Sequence, residues 1–220
     1  MDNYLDDLNI EIIFSNGIIK DHLEELLYFK DITLPAYYKL FLEQTNGLII
    51  ESDYSVDEFN DPAHILFLQA QDLEFTSKKV NNMPNNRFIL FATNEDNADY
   101  LFDSERVDPE GNPLILLCMP VEEFYIPLTN SFNVFLEATC LGILHHFEKF
   151  ASNRHSPTIN PKLRKKSDSI LPCLKSIFMT AKREYQLLDI WHVPPKTKGL
   201  IQESMINWFK ELKRLVSVFQ

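Results

Sequence analysis

The sequence predicts an α+β fold: a mixed, mainly antiparallel sheet of about six strands flanked by helices, with a C-terminal helical hairpin. Three observations lead there. Helical periodicity sits at the two ends of residues 1–150, while β-rich runs fill the middle. Those runs are separated by turn signals, not helices, which gives a meander. Two further apolar stripes then follow a polar, proline-containing stretch. A length of 220 residues suits one domain with an appendage.

The elements follow in order. In residues 18–30, Ile19, Leu23, Leu26 and Leu27 form one stripe, so a helix is predicted with Ser15 and Asn16 as candidate caps. Residues 34–47, "LPAYYKLFLEQTNG", predict a second helix. Pro35 fits its first turn, Tyr38, Phe41 and Leu42 share a face, and Asn46-Gly47 supplies a left-handed end. "LIIES" (48–52) reads as a strand, residues 53–63 as a polar loop, and "HILFL" (64–68) as a strand. Residues 72–80 predict a short helix. "RFILFAT" (87–93) is continuous and β-rich, as a central strand would be. "DYLFDS" (99–104) follows, then the turn "DPEGNP" (108–113) and the strands "LILLCM" and "EFYIPL". Residues 131–150 predict one long helix capped by Ser131, with Phe132, Phe135, Leu136, Thr139 and Ile143 on one face.

Beyond it, residues 151–168 are polar and basic with two prolines. Leu174, Ile177, Phe178, Ala181, Tyr185 and Leu188 mark a first tail helix. Ile201, Met205, Trp208, Leu212, Leu215 and Phe219 mark a second. The expected organisation is an α+β domain over 1–151, a basic linker over 152–168 and a two-helix extension over 169–220. The second stripe is short for a coiled coil, so docking on the body, and a monomer, is expected. A homodimer through this C-terminal helix is the alternative.

The charge is divided. Residues 1–150 carry 8 Lys/Arg against 27 Asp/Glu, a net −19, and residues 151–220 carry 13 against 5, a net +8. An acidic body repels nucleic acid and attracts basic proteins. The basic tail could neutralise part of that body or bind elsewhere. No run approaches the roughly 20 apolar residues of a membrane span. The acidic start "MDNYLDDLN" has no basic segment ahead of an apolar one, so no secretory signal is read. Cys118, Cys140 and Cys173 are odd in number and widely spaced. A disulfide framework or zinc knuckle is not expected, and a reducing cytoplasm is.

A search for chemistry finds little. The five glycines are scattered, so no phosphate-cradling loop forms, and neither G-x-S-x-G nor H-E-x-x-H is present. Glu95, Asp96, Asp99 and Asp103 raise the idea of a cation site. On a strand, however, Asp99 and Asp103 lie about 13 Å apart at ~3.3 Å per residue. An acidic hairpin tip is the expected reading. His145-His146 reads as a solvated pair near a helix C-terminus, because adjacent helical residues diverge by about 100°. The basic run "KLRKK" (162–166) lacks interleaved aromatics and reads as linker. No catalytic residue, metal site or cofactor is predicted. The loop "ESDYSVDEFNDPAH" is the candidate partner-binding site. Glu51, Asp53, Asp57, Glu58 and Asp61 there alternate with Tyr54 and Phe59, combining aromatic anchors with charges that steer a basic partner.

Four stretches taken together resemble the SUKH superfamily (SMI/KNR-like). "LPAYYKLFLEQTNG" is similar to its helix opening in Leu-Pro and closing in Asn-Gly. "FILFATNEDNADYLFD" is similar to its hairpin, "GNPLILL" to the next strand, and "SFNVFLEAT" to its terminal helix. The likeness covers roughly residues 20–147 and leaves out the tail. In bacteria this family supplies immunity proteins to polymorphic toxin systems, and it includes a fungal cell-wall synthesis regulator. The resemblance implies a non-enzymatic, cytoplasmic immunity protein that neutralises a toxin by stoichiometric binding. The acidic body suits a basic toxin domain, such as a nuclease. A regulatory or scaffold protein of the same fold is the alternative.

Overall fold

The computed structural model describes residues 10–52, 63–75, 87–94, 98–119, 124–153, 167–187 and 195–220. Its centre is one eight-stranded sheet in which every pairing is antiparallel. The strands are β1 (Ile10–Phe14), β2 (Leu48–Ser52), β3 (Ala63–Phe67), β4 (Glu74–Phe75), β5 (Phe88–Asn94), β6 (Asp99–Val107), β7 (Pro113–Met119) and β8 (Phe124–Thr129). They lie in the order β1-β2-β3-β5-β6-β7-β8, with β4 also on β5. The helices are α1 (Lys20–Lys30), α2 (Ala36–Gln44), α3 (Phe132–Cys140), α4 (Ile143–Asn153), α5 (Ser167–Leu187) and α6 (Pro195–Phe219).

The strand count exceeds the six expected by β1 and β4. The helix expected over 72–80 does not form in its described part. Ala70–Asp72 is instead a single 3-10 turn, and Glu74 and Phe75 pair with Leu90 and Ile89 of β5. β3 occupies the same edge of β5, opposite residues 92–94. Strands β3 and β4 are thus one interrupted strand, and the open ladder of β5 overrides the local helical preference.

β7 shows why the middle of the chain reads as strand. All seven of its residues are buried. Ile115, Leu117 and Met119 join the main core, and Leu114, Leu116 and Cys118 join a smaller cluster on the opposite face. A strand covered on both faces has no polar side to alternate with. In β5 the register shifts between Leu90 and Ala92, a bulge that turns both Phe91 and Ala92 toward the main core. Phe91 then stacks on Phe102, ring centroids 4.0 Å apart, and meets Tyr38 edge-on at 5.6 Å.

The helices differ from expectation at their ends. Neither Ser15 nor Asn16 caps α1, whose N-cap is the exposed Ile19 without a side-chain bond. Their backbones bind the turn after α2 instead: Ser15 N donates to Gly47 O (3.3 Å) and Asn16 O accepts from Asn46 N (3.2 Å). Leu23 and Leu27 do carry the buried stripe. α2 starts after Pro35 and buries Tyr38 and Leu42, but it ends at Gln44 with Thr45 extended. Gly47, at φ +98°, shapes the later turn into β2 and does not cap the helix. Residues 131–150 are two helices rather than one. Ser131 Oγ accepts from Val134 N as expected, and the chain then turns at Leu141-Gly142. Gly142 at φ +67° takes the left-handed position that stops a helix.

The tail packs on the body. α5 lies against β8, α3 and α6, and α6 also touches β8. Leu174, Ile177 and Ala181 from α5, and Met205, Trp208, Leu212, Leu215 and Phe219 from α6, are buried in the same core as Phe135 and Phe147. Phe147 and Trp208 meet edge-to-face at 4.3 Å. Of the first tail stripe, Tyr185 is exposed instead, and Leu188 lies outside the described residues.

Candidate partner-binding surface

Of the seven residues expected to bind a partner, Glu51 is described. Asp53, Tyr54, Asp57, Glu58, Phe59 and Asp61 lie outside the described residues. Glu51 stands exposed near the end of β2, where the candidate loop begins.

Cross-strand register shows what surrounds it. Glu51 sits opposite Glu11 of β1 on one side and His64 of β3 on the other. Glu51 Oε1 is 3.9 Å from His64 Nε2. Two residues along, on the same face, Ile49 lies between Ile13 and Leu66. Ile13 and Leu66 are exposed and Ile49 is half-buried. The foot of the loop is therefore an acidic row beside an apolar row on the sheet face opposite the main core. Such a face offers contact area and charge together. Glu11, Ile13 and Leu66 had a readable signal in part, since Ile10-Glu11-Ile12 alternates, but their juxtaposition with Glu51 comes from pairing across strands.

The described carboxylates of the acidic hairpin have structural partners. Asp103 is fully buried and held by Arg87, whose Nε and Nη2 donate at 2.8 and 2.7 Å. Asp99 Oδ1 accepts from Thr93 Oγ1 at 3.3 Å. Glu95 and Asp96 lie outside the described residues. Among the described residues no group of three or more His, Cys, Asp or Glu is placed to hold a metal ion.

His145 and His146 are not solvated. Both are buried within α4, which runs on to Asn153. His146 Nε2 bonds Glu211 Oε1 of α6 at 2.7 Å, and Arg214 donates to both oxygens of the same carboxylate. His145 Nδ1 is 3.5 Å from Glu148 Oε2, and Glu148 accepts from the Tyr100 hydroxyl of β6. The pair is a clasp between sheet, α4 and α6.

Neither Cys140 nor Cys173 is activated as a nucleophile by its surroundings. Burial pushes the Cys173 thiol up to about 12, with Glu137 adding to the effect, and burial likewise raises Cys140. Both thiols stay protonated near neutral pH, where only a thiolate would attack. Burial, then Glu148, raises Tyr100 well above the usual phenol range.

No curated protein matches the chain. No helix among the described residues is long and apolar enough to cross a membrane. The SMI1 / KNR4 family (SUKH-1) matches residues 18–138, from just before α1 to the last turn of α3. This span is more than half of the chain, and it contains the aromatic core, the interrupted β3–β4 strand and the Glu11–Glu51–His64 row except for β1. The chain belongs to the SMI1 / KNR4 family (SUKH-1).

Proposed function

We propose that this protein is an immunity-type binding protein of the cytoplasm, which neutralises a cognate toxin by forming a stoichiometric complex. Family membership is the observation that carries this reading. The net −19 of residues 1–150 favours a basic toxin domain, a nuclease being one suitable class. The acidic and apolar rows at the foot of the 53–62 loop supply a surface of the right chemistry. Binding, not catalysis, is its mode of action in this reading, since Glu51 and its neighbours would steer and cover a partner rather than transform one. Burial of the second tail stripe within its own chain favours a monomer.

Affinity capture from the native cell tests the proposal. A basic toxin domain recovered in a one-to-one complex is expected, with its toxicity suppressed by this chain. The association rate should fall steeply with salt, because charge steering is screened over about 8 Å at physiological ionic strength. A partner with no toxicity, or a salt-independent association rate, would count against it. The second reading, a regulatory or scaffold protein, draws on the packed extension, which lies beyond the family match. Asn or Gln at Asp57, Glu58 and Asp61 should slow association without unfolding the protein.

A further inference from the structure

Helix α1 carries an exposed face that neither the family match nor the candidate loop explains. Leu23 and Leu27 point into the core. At about 100° per residue the opposite side holds Asp21, His22, Glu25, Tyr28 and Phe29, with Glu24 on its flank. Tyr28 is 84% and Phe29 75% exposed, and their rings lie edge-on with centroids 6.1 Å apart. A single exposed aromatic is ordinary, but two side by side in an acidic setting are not.

Neither lysine of α1 lies on this face. Lys20 and Lys30 bracket the helix on its other sides, and the Lys30 ammonium is drawn away to Leu73 O at 2.8 Å. Asp31, exposed and left-handed at φ 53°, adds another carboxylate at the C-terminal end of the helix. The helix C-terminus adds its own negative end to the same spot. The rings thus sit in a negative field, where a cation over a ring face gains from both.

We infer that the outer face of α1 is a docking surface for a basic protein segment, whose Arg or Lys side chains lie over Tyr28 and Phe29 while Glu24, Glu25 and Asp31 pair with neighbouring cations. The inference rests on the proposed reading only in the identity of the partner; the surface itself stands on exposure and charge. Anionic lipid and nucleic acid would be repelled by the same carboxylates.

Two experiments separate the surface from the partner. The full chain is titrated with a deca-arginine peptide and followed by backbone amide chemical shifts. The first and largest shifts are expected at residues 24–31. Tyr28→Ala/Phe29→Ala should weaken binding on the order of tenfold, since two exposed cation–ring contacts are lost. Glu24→Gln/Glu25→Gln should weaken it too and flatten its salt dependence. Both pairs are surface changes, so thermal unfolding should stay as in wild type. Shifts confined to Glu11, Glu51 or the 53–62 loop would overturn the inference. So would α1 shifts that appear on concentrating the chain alone, or tighter binding to phosphatidylcholine vesicles than to the peptide. In the second experiment, wild type and Tyr28→Ala/Phe29→Ala are used for capture from the native cell. Loss of the captured protein with the variant supports the inference. Unchanged capture overturns it while leaving the immunity reading intact. If wild type captures nothing, the immunity reading fails and the peptide titration alone decides the surface.

Discussion

Gly17 shows how one residue can be demanded by geometry that its neighbours do not advertise. A Cβ there would lie 2.0 Å from Glu43 O, a backbone atom of α2 that cannot swing aside. The contact follows from Ile18 N donating to Leu42 O at 3.0 Å, which draws the approach to α1 across the end of α2. Gly17→Ala should therefore destabilise by about 1–3 kcal/mol, the usual range for overpacking, in chemical denaturation. The tyrosines make a second residue-scale test. Burial raises Tyr37, Tyr38 and Tyr100 above the ordinary phenol value, with Asp108 adding at Tyr37 and Glu148 at Tyr100. A phenol whose folded value is raised holds its proton in the native state after the unfolded chain has lost it. Its stability contribution is complete below pH of about 10 and is lost as pH rises beyond it. Phenolate absorbance should show these three failing to titrate with the exposed tyrosines and ionising together with cooperative alkaline unfolding. Three independent titrations in a folded chain would contradict their burial.

Among the elements, α4 is fastened by the clasp at His146. Since an ionised carboxylate only accepts, His146 Nε2–H donates to Glu211, while the buried Nδ1 has no hydrogen-bond partner among the described residues. Glu211→Ala should cost about 3 kcal/mol, because removing one member of a buried pair strands the other. Glu211→Gln, which can still accept, should cost less, and equal losses for the two would mean packing alone holds the helices. This clasp marks where sequence reading stops. β7 and α2 were legible because local composition decides them: a run buried on both faces, and Pro35 ahead of an apolar stripe. The bulge at Phe91 was hidden because an unbroken apolar run has no alternation to interrupt. His145 and His146 read as solvated because residues 131–150 looked like one helix ending nearby, whereas Gly142 starts a second helix that runs to Asn153. The partner of His146 is 65 residues away. Within the candidate surface Glu51 was visible from charge, while Glu11, Ile13 and Leu66 needed the register of three strands.

For the whole molecule, the charge division does not translate into the expected docking pattern. The carboxylate contacts described between body and tail run the other way: Glu184 of α5 pairs with Arg106 of β6, and Glu211 of α6 accepts from His146. Among the described residues, burial therefore dominates the docking of the extension. A body ending near residue 151 and a separable extension over 169–220 remain a proposal. Residues 1–152 alone should stay folded yet bind hydrophobic dye and unfold at lower temperature, because β8 and Phe147 lose their cover. A molten or insoluble fragment would mean that body and extension fold only as one core.

Trp208 and Leu212 give the sharpest test of that packing. Both are completely buried on α6, and Trp208 meets Phe147 across the junction. Lysine at either position places an unpaired charge in the core and removes a large apolar side chain. Loss of such a side chain costs about 3–5 kcal/mol for Trp and 2–5 kcal/mol for Leu. Docking within one chain predicts a fall in Tm for both variants that does not depend on protein concentration, with wild type and variants alike monomeric in light scattering. A dimer held through α6 predicts a wild-type Tm that rises with concentration and a mass that halves in Leu212→Lys. Because each face of α6 that reaches Phe147 is already occupied within the chain, the concentration-independent outcome is expected. A dimer that collapses to monomer would require that α6 exchange its contacts with those of a second copy.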